Sequence, residues 1–103
     1  FKENCRDIRN TKVNDIVKLL DSKNVKVSVY DPWIDRKKAR DLYNINFLET
    51  LPTSGTYSAV IIAVAHEDFK QLEISQLRGL LKKNGIVYDI KSIFPQTEVD
   101  GTL

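Results

Sequence analysis

The chain has 103 residues, 42% apolar and 29% charged, the size and make-up of one soluble domain that buries roughly two-thirds of its unfolded surface. Sixteen basic residues against fourteen acidic ones leave a formal charge of +2, and the cations are interspersed with acids, so the overall field argues against a nucleic-acid or membrane-surface role. No run of 18 apolar residues exists to span a bilayer, no signal peptide is visible, and the lone Cys5 makes no internal disulfide and suits a reducing compartment.

The first twelve residues, FKENCRDIRNTK, concentrate polar groups ahead of a helix, an arrangement suited to holding an anion. Val13, Ile16, Val17 and Leu20 then fall on one helical face, with Lys12, Asn14, Asp15 and Lys18 mostly opposite. Asn10 or Thr11 is the expected N-cap, and the helix should stop near Ser22 to Asn24. Val25 to Tyr30 alternates and is β-branched, which predicts a strand, closed by Asp31-Pro32 because Pro cannot continue a ladder. A short helix over Arg36 to Leu42 and a brief strand over Asn46 to Leu48 follow. Tyr57 to Ala65 is a continuous apolar run, the pattern of a strand buried on both faces. Leu72 to Leu81 reads as an amphipathic helix, ended at Asn84-Gly85 by the left-handed conformation Gly tolerates. Ile86 to Ile90 is the last strand, and a Pro- and Gly-bearing tail completes the chain. Alternating strands and helices predict an α/β fold: a Rossmann-like three-layer sandwich, its mainly parallel sheet covered on both faces by helices, with the first strand cut short at Phe1.

Ligands of such sheets sit outside the carboxyl ends of the strands. Those positions hold Asp31, Pro32 and Trp33, then His66 and Glu67, then Lys91 and Ser92. Metal binding is unsupported, since one His and one Cys about sixty residues apart give no ligand spacing. Cys5 reads as a packing residue, because a nucleophile needs a base beside it, and His66 as the residue that begins a new segment at a strand end. A dinucleotide site needs G-x-G-x-x-G after the first strand, and Glu3 to Asn10 has no Gly. Asp31 therefore reads as a turn-starting Asp. The cations left as anion contacts are Lys2, Arg6, Arg9 and Lys91, of which Lys2 and Lys91 belong together near strand ends on one side of the sheet. Asp7 and Arg9 serve the turn, and Arg36-Lys37-Lys38 and Lys82-Lys83 are solvated surface.

These segments resemble a family. FKENCRDIRNTK resembles the block FKxNxxDxRN, followed by Ser or Thr, that opens the C-terminal, UDP-binding domain of the UDP-glucose/GDP-mannose dehydrogenases. VYDPWID, AVAHEDF and YDIKSIF match later blocks in the same order, and VDGTL resembles the usual ending. The wording is nearest the branch acting on UDP-N-acetylhexosamines. The resemblance implies a parent enzyme that oxidises the primary alcohol of a UDP-sugar to its uronic acid with two NAD+ in succession, for surface polysaccharide synthesis in the cytoplasm. It implies an N-terminal NAD-binding domain, a central domain that forms a homodimer, and catalytic Cys, Lys and Asn upstream of this chain, which alone should be inactive. Carried over by position, Phe1, Lys2 and Lys91 would meet the nucleotide sugar, and Asp7, Arg9 and Asn10 would shape the first turn. Two departures stand out: the Gly-x-Thr expected just before Phe1 is missing, and Arg6 stands where Pro is frequent.

A rival reading is a free-standing flavodoxin-like or receiver-like regulatory module. It would need clustered strand-end acids for Mg2+, and only Asp31 and Asp89 offer themselves. A purely structural domain is the third reading.

Overall fold

The computed structural model describes residues 12–43, 45–53 and 55–103. The expectations for Phe1, Lys2, Cys5, Arg6, Asp7, Arg9 and Asn10, and for a shortened first strand, lie outside those residues. The chain divides into two compact units, one ending at Leu51 and the other running Pro52–Leu103.

In the first unit, helix α1 (Lys12–Ser22) ends where the sequence says it should. The Val25 N–H reaches the Leu20 carbonyl at 3.1 Å and the Asn24 N–H reaches that of Asp21 at 3.0 Å, with Asn24 left-handed at φ 62°. This paired closure satisfies two carbonyls that helix ends otherwise leave open. Its predicted apolar face is only half-buried, whereas Asn14 is buried with Oδ1 unpartnered among the described residues. Asn14 stands about 60° round the helix from Val17, at the edge of the apolar stripe rather than opposite it.

Helix α2 (Arg36–Tyr43) starts where Asp35 Oδ1 accepts the Lys37 and Lys38 N–H groups at 3.1 and 3.2 Å, an acidic cap on donors the first turn leaves free. Ile34, Ala39, Ile45 and Phe47 form the buried cluster of this unit, with Val17 and Val29 packed against it. The strand predicted over Val25 to Tyr30 is reduced to one parallel bridge, Val29 to Phe47, carried by Val29 N–H to the Asn46 carbonyl at 2.9 Å and Leu48 N–H to the Val29 carbonyl at 2.8 Å. A strand exists through its partners, and among the described residues Val29 finds one at a single point.

The second unit holds a parallel three-stranded sheet in the order β1-β2-β3: β1 (Tyr57–Ile62), β2 (Leu81–Asp89) and β3 (Gly101–Thr102). Between them lie α3 (Glu67–Lys70), α4 (Ile74–Arg78) and a 3-10 turn at Gln96–Glu98. Parallel strands joined through helices bear out the α/β, Rossmann-like class.

Three details differ from expectation. The apolar run at β1 is buried mainly at its carboxyl end, where Ile62, Val64, Ala65 and the following His66 are covered, while Ile61 in β1 and Ile86 in β2 are 41% and 48% exposed. The helix predicted over Leu72 to Leu81 is confined to α4, and α3 lies ahead of the predicted span. Glu73 opens α4, donating its N–H to Gln76 Oε1 at 2.8 Å. Lastly, β2 begins at Leu81 rather than Ile86. Tyr57 pairs with Leu81 and Ala59 with Ile86, so Lys82 to Gly85 bulge out opposite Ser58. The left-handed residue there is Asn84, at φ 67°, not Gly85. Gly85 is needed for a different reason: a Cβ on it would lie 2.7 Å from the Leu81 Cβ and 3.0 Å from the Lys82 carbonyl oxygen.

Candidate functional site at the carboxyl end of the second sheet

Because β1 and β2 run parallel, their carboxyl ends open on one edge of the second unit. Beyond β1, His66 is fully buried and is the residue from which α3 starts. Its carbonyl accepts the Phe69 and Lys70 N–H groups at 3.0 and 3.2 Å, and its ring lies 5.2 Å from that of Phe69. His66 thus begins the next segment, as its place in the sequence suggests, and packs inward.

The end of β2 is built differently. Ile90 still donates its N–H to the Ile62 carbonyl at 3.0 Å, so the ladder runs one residue past the strand. The chain then turns over Asp89 to Ser92, with Ser92 N–H facing the Asp89 carbonyl at 3.4 Å and Ser92 left-handed at φ 53°. The Asp89 side chain is fully buried. Its Oδ2 accepts the Phe94 N–H at 2.9 Å, and its Oδ1 has no partner among the described residues. Ser92 Oγ shares a hydrogen bond of 2.7 Å with Thr102 Oγ1, and Thr102 is the register partner of Asp89 in β3. Lys91, held between these ties, is exposed.

The neighbouring strand is anchored by a carboxylate that stands in for a peptide carbonyl. Asp100 donates its N–H to the Val87 carbonyl at 2.9 Å, and its Oδ2 accepts the Val87 N–H at 2.8 Å. The same oxygen takes the Arg78 guanidinium at 2.6 Å, while Arg78 also donates to the Glu98 carbonyl at 2.9 Å. The Val87 N–H first, and the Arg78 hydrogen bond second, hold the Asp100 carboxyl below the usual carboxylate range.

In the first unit, Asp31 is buried and its Oδ1 accepts the Trp33 N–H at 2.8 Å, the side-chain turn expected of an Asp before Pro. Beside it an open groove of about 740 Å³ runs past Trp33, Arg36, Lys37 and Arg40, with Asp35, Asp41 and Glu49 on its walls. Three cations face three acids there, so the groove has no net preference for an anion. Among the described residues no three His, Cys, Asp or Glu side chains gather as metal ligands, and no helix is long and apolar enough to cross a membrane.

Of the residues expected to meet the nucleotide sugar or shape the first turn, Lys91 is therefore the one that lies among the described residues: an exposed cation at the carboxyl end of a parallel strand. Of the residues that hold its turn, Ser92 was named only as a strand-end position and Asp89 only as a strand-end acid for a rival reading, and Thr102 was not singled out. Their signal is slight, since a left-handed Ser and a buried strand-end Asp follow no motif.

Comparison with known proteins decides the family. The model of the UDP-glucose/GDP-mannose dehydrogenase family, UDP binding domain, matches residues 1–96. The chain belongs to that family. It is similar to a UDP-N-acetyl-D-glucosamine 6-dehydrogenase of Salmonella typhi, 41% identical over 100 residues that are 97% of this chain and 23% of the relative. A protein of the same description from Pseudomonas aeruginosa is 42% identical over 97% of this chain and 24% of its own length. Protein CapL of Staphylococcus aureus is 34% identical over 97% of this chain and 23% of its own length. The chain thus spans about a quarter of the length of the curated relatives it matches. No solved structure matches it significantly.

Proposed function

We propose that this UDP binding domain serves a parent enzyme that oxidises a UDP-N-acetylhexosamine at its primary alcohol to the uronic acid, with NAD+ as hydride acceptor. The observation that carries this reading is the family match over residues 1–96, joined to relatives named for UDP-N-acetyl-D-glucosamine at 41–42% identity. In it Phe1, Lys2 and Lys91 meet the nucleotide sugar, with Lys2 and Lys91 facing the diphosphate. Asp7, Arg9 and Asn10 shape the first turn. The exposed Lys91 ammonium supports this, because a pyrophosphate is held by charge-assisted donors, each contributing about 1.5–3 kcal/mol.

NAD belongs to the rest of the parent: Glu3 to Asn10 contains no Gly, so this chain lacks the close backbone approach that a dinucleotide pyrophosphate needs. A cytoplasmic homodimer, assembled through a region outside this chain and supplying a surface polysaccharide pathway, completes the proposal.

The test is made on the full-length protein. Incubated with UDP-N-acetylglucosamine and NAD+, it should release two NADH per sugar and bind UDP in calorimetry, and Lys2→Ala and Lys91→Ala should each weaken UDP. Absence of both UDP binding and NADH with any UDP-sugar would overturn the reading.

A further inference from the structure

Four ties converge on six residues at the end of β2. The Ile90 N–H is fixed to Ile62, the Phe94 N–H to the Asp89 carboxylate, the Ser92 N–H to the Asp89 carbonyl, and the Ser92 hydroxyl to Thr102. Such density is unusual for a connecting turn, which ordinarily runs loosely over the surface. Two of the features are also unfavourable in themselves. A fully buried carboxylate with one oxygen unpartnered among the described residues is costly to desolvate, and Ser at φ 53° occupies backbone space that residues other than Gly mostly avoid. Strain of this kind persists where surrounding contacts over-determine it, and it collects at ligand sites. Everything held in the turn leads to one group that is not tied down: Lys91 is exposed and makes no ion pair among the described residues.

We propose that Asp89, Ser92 and Thr102 are positioning residues, which fix the Asp89–Ser92 turn so that the Lys91 ammonium stands ready for the diphosphate of the nucleotide ligand. This rests on the reading of Lys91 given above. The physical gain is preorganisation: a cation on a loose loop must be ordered when the anion arrives, and that ordering subtracts from affinity. Asp89 contributes as an acceptor for the Phe94 N–H, a task its neutral amide performs equally well. Thr102 brings the β3 strand into the same support, so the residue opposite Asp89 in register braces the turn from the side.

The full-length protein carrying this chain is measured in two ways, by calorimetry with UDP and by hydrogen exchange over residues 88–95. Lys91→Ala should weaken UDP about tenfold or more, the loss of one charge-assisted donor, and leave exchange unchanged. Asp89→Ala should speed exchange of the turn amides and weaken UDP several-fold, and Asp89→Asn should recover both. In the Asp89→Ala/Lys91→Ala double variant the Asp89 change should add little, because its effect passes through Lys91.

Unchanged exchange in Asp89→Ala overturns the proposal. So does an Asp89→Ala loss of affinity that is equally large when Lys91 is already gone, since that marks general damage. If Lys91→Ala binds UDP like the unaltered protein, the Lys91 reading fails, and it fails separately from the turn, whose order the exchange data report without ligand. Should Asp89→Ala not fold, Thr102→Val, which removes one hydroxyl, carries the same cycle: coupling to Lys91→Ala supports the proposal and independence overturns it.

Discussion

The tripeptide Val-Tyr-Asp occurs once in each unit, as Val29-Tyr30-Asp31 at an isolated bridge and as Val87-Tyr88-Asp89 at the end of β2, and the two copies do different work. Both aspartates are buried, at 4% and 0% exposure. Asp31 bonds the N–H two residues on, at Trp33, and Asp35 caps α2 soon after. Asp89 bonds the N–H five residues on, at Phe94, and so encloses a turn that carries Lys91. The residue after the Asp decides between them. Pro32 has no N–H and a fixed φ, so the chain leaves the strand direction at once. Ile90 keeps its N–H and spends it on the Ile62 carbonyl, extending the ladder by one step before the chain turns. The same tripeptide thus yields a helix start in one case and a mounted cation in the other.

Substitutions can break or sharpen that contrast, and we rank them by expected effect on the unfolding free energy of the protein carrying this chain. Asp89→Ala should cost most, about 3 kcal/mol, because it leaves the part-buried Phe94 N–H without its acceptor. Gly101→Ala follows at about 2 kcal/mol: its Cβ would fall 2.6 and 2.7 Å from Tyr88 ring carbons, prising β3 from β2. Loss of the Asp31–Trp33 bond in Asp31→Ala should itself cost about 1 kcal/mol, the scale of one local hydrogen bond. Equal losses for Asp31→Ala and Asp89→Ala in denaturant titrations would erase the distinction.

The smallest effect should come with acid. The Asp100 carboxyl titrates below the ordinary carboxylate value of 3.8, so its contribution is complete above that value and is lost as pH falls through the lower folded one. Arg78→Ala should move the Asp100 titration part of the way back toward 3.8, read by carboxyl NMR. No movement would show that the Val87 N–H alone sets it.

How much of this was legible in the sequence depends on what each segment needed to find. Helices α1 and α2 are local matters of periodicity and caps, and the bridging of Val29 to Phe47 falls within the two segments read as strands. The front of β2 was missed because Lys82 to Gly85 is polar, ends in Asn-Gly, and reads as a helix terminator; only pairing of Leu81 with Tyr57 draws it into the sheet. Lys91 was legible as the basic residue after an apolar run. Asp89 was not, beyond being a strand-end acid, because its value lies in a bond to Phe94, and neither burial nor a left-handed Ser92 can be read from residue types.

The bulge at Lys82 to Gly85 has a consequence for how this fold tolerates change. Between the pairs Tyr57–Leu81 and Ala59–Ile86, β2 advances five residues while β1 advances two. The excess is odd, and an odd slip would turn every later side chain to the opposite face of a sheet. Here the slack is taken up before Ile86, and pairing from Ala59 onward is continuous to Asp89. A residue gained or lost among Lys82 to Asn84 should therefore be absorbed where it occurs. The segment works as an expansion joint: chain length can drift on one side of it while the Lys91 turn on the other stays in register.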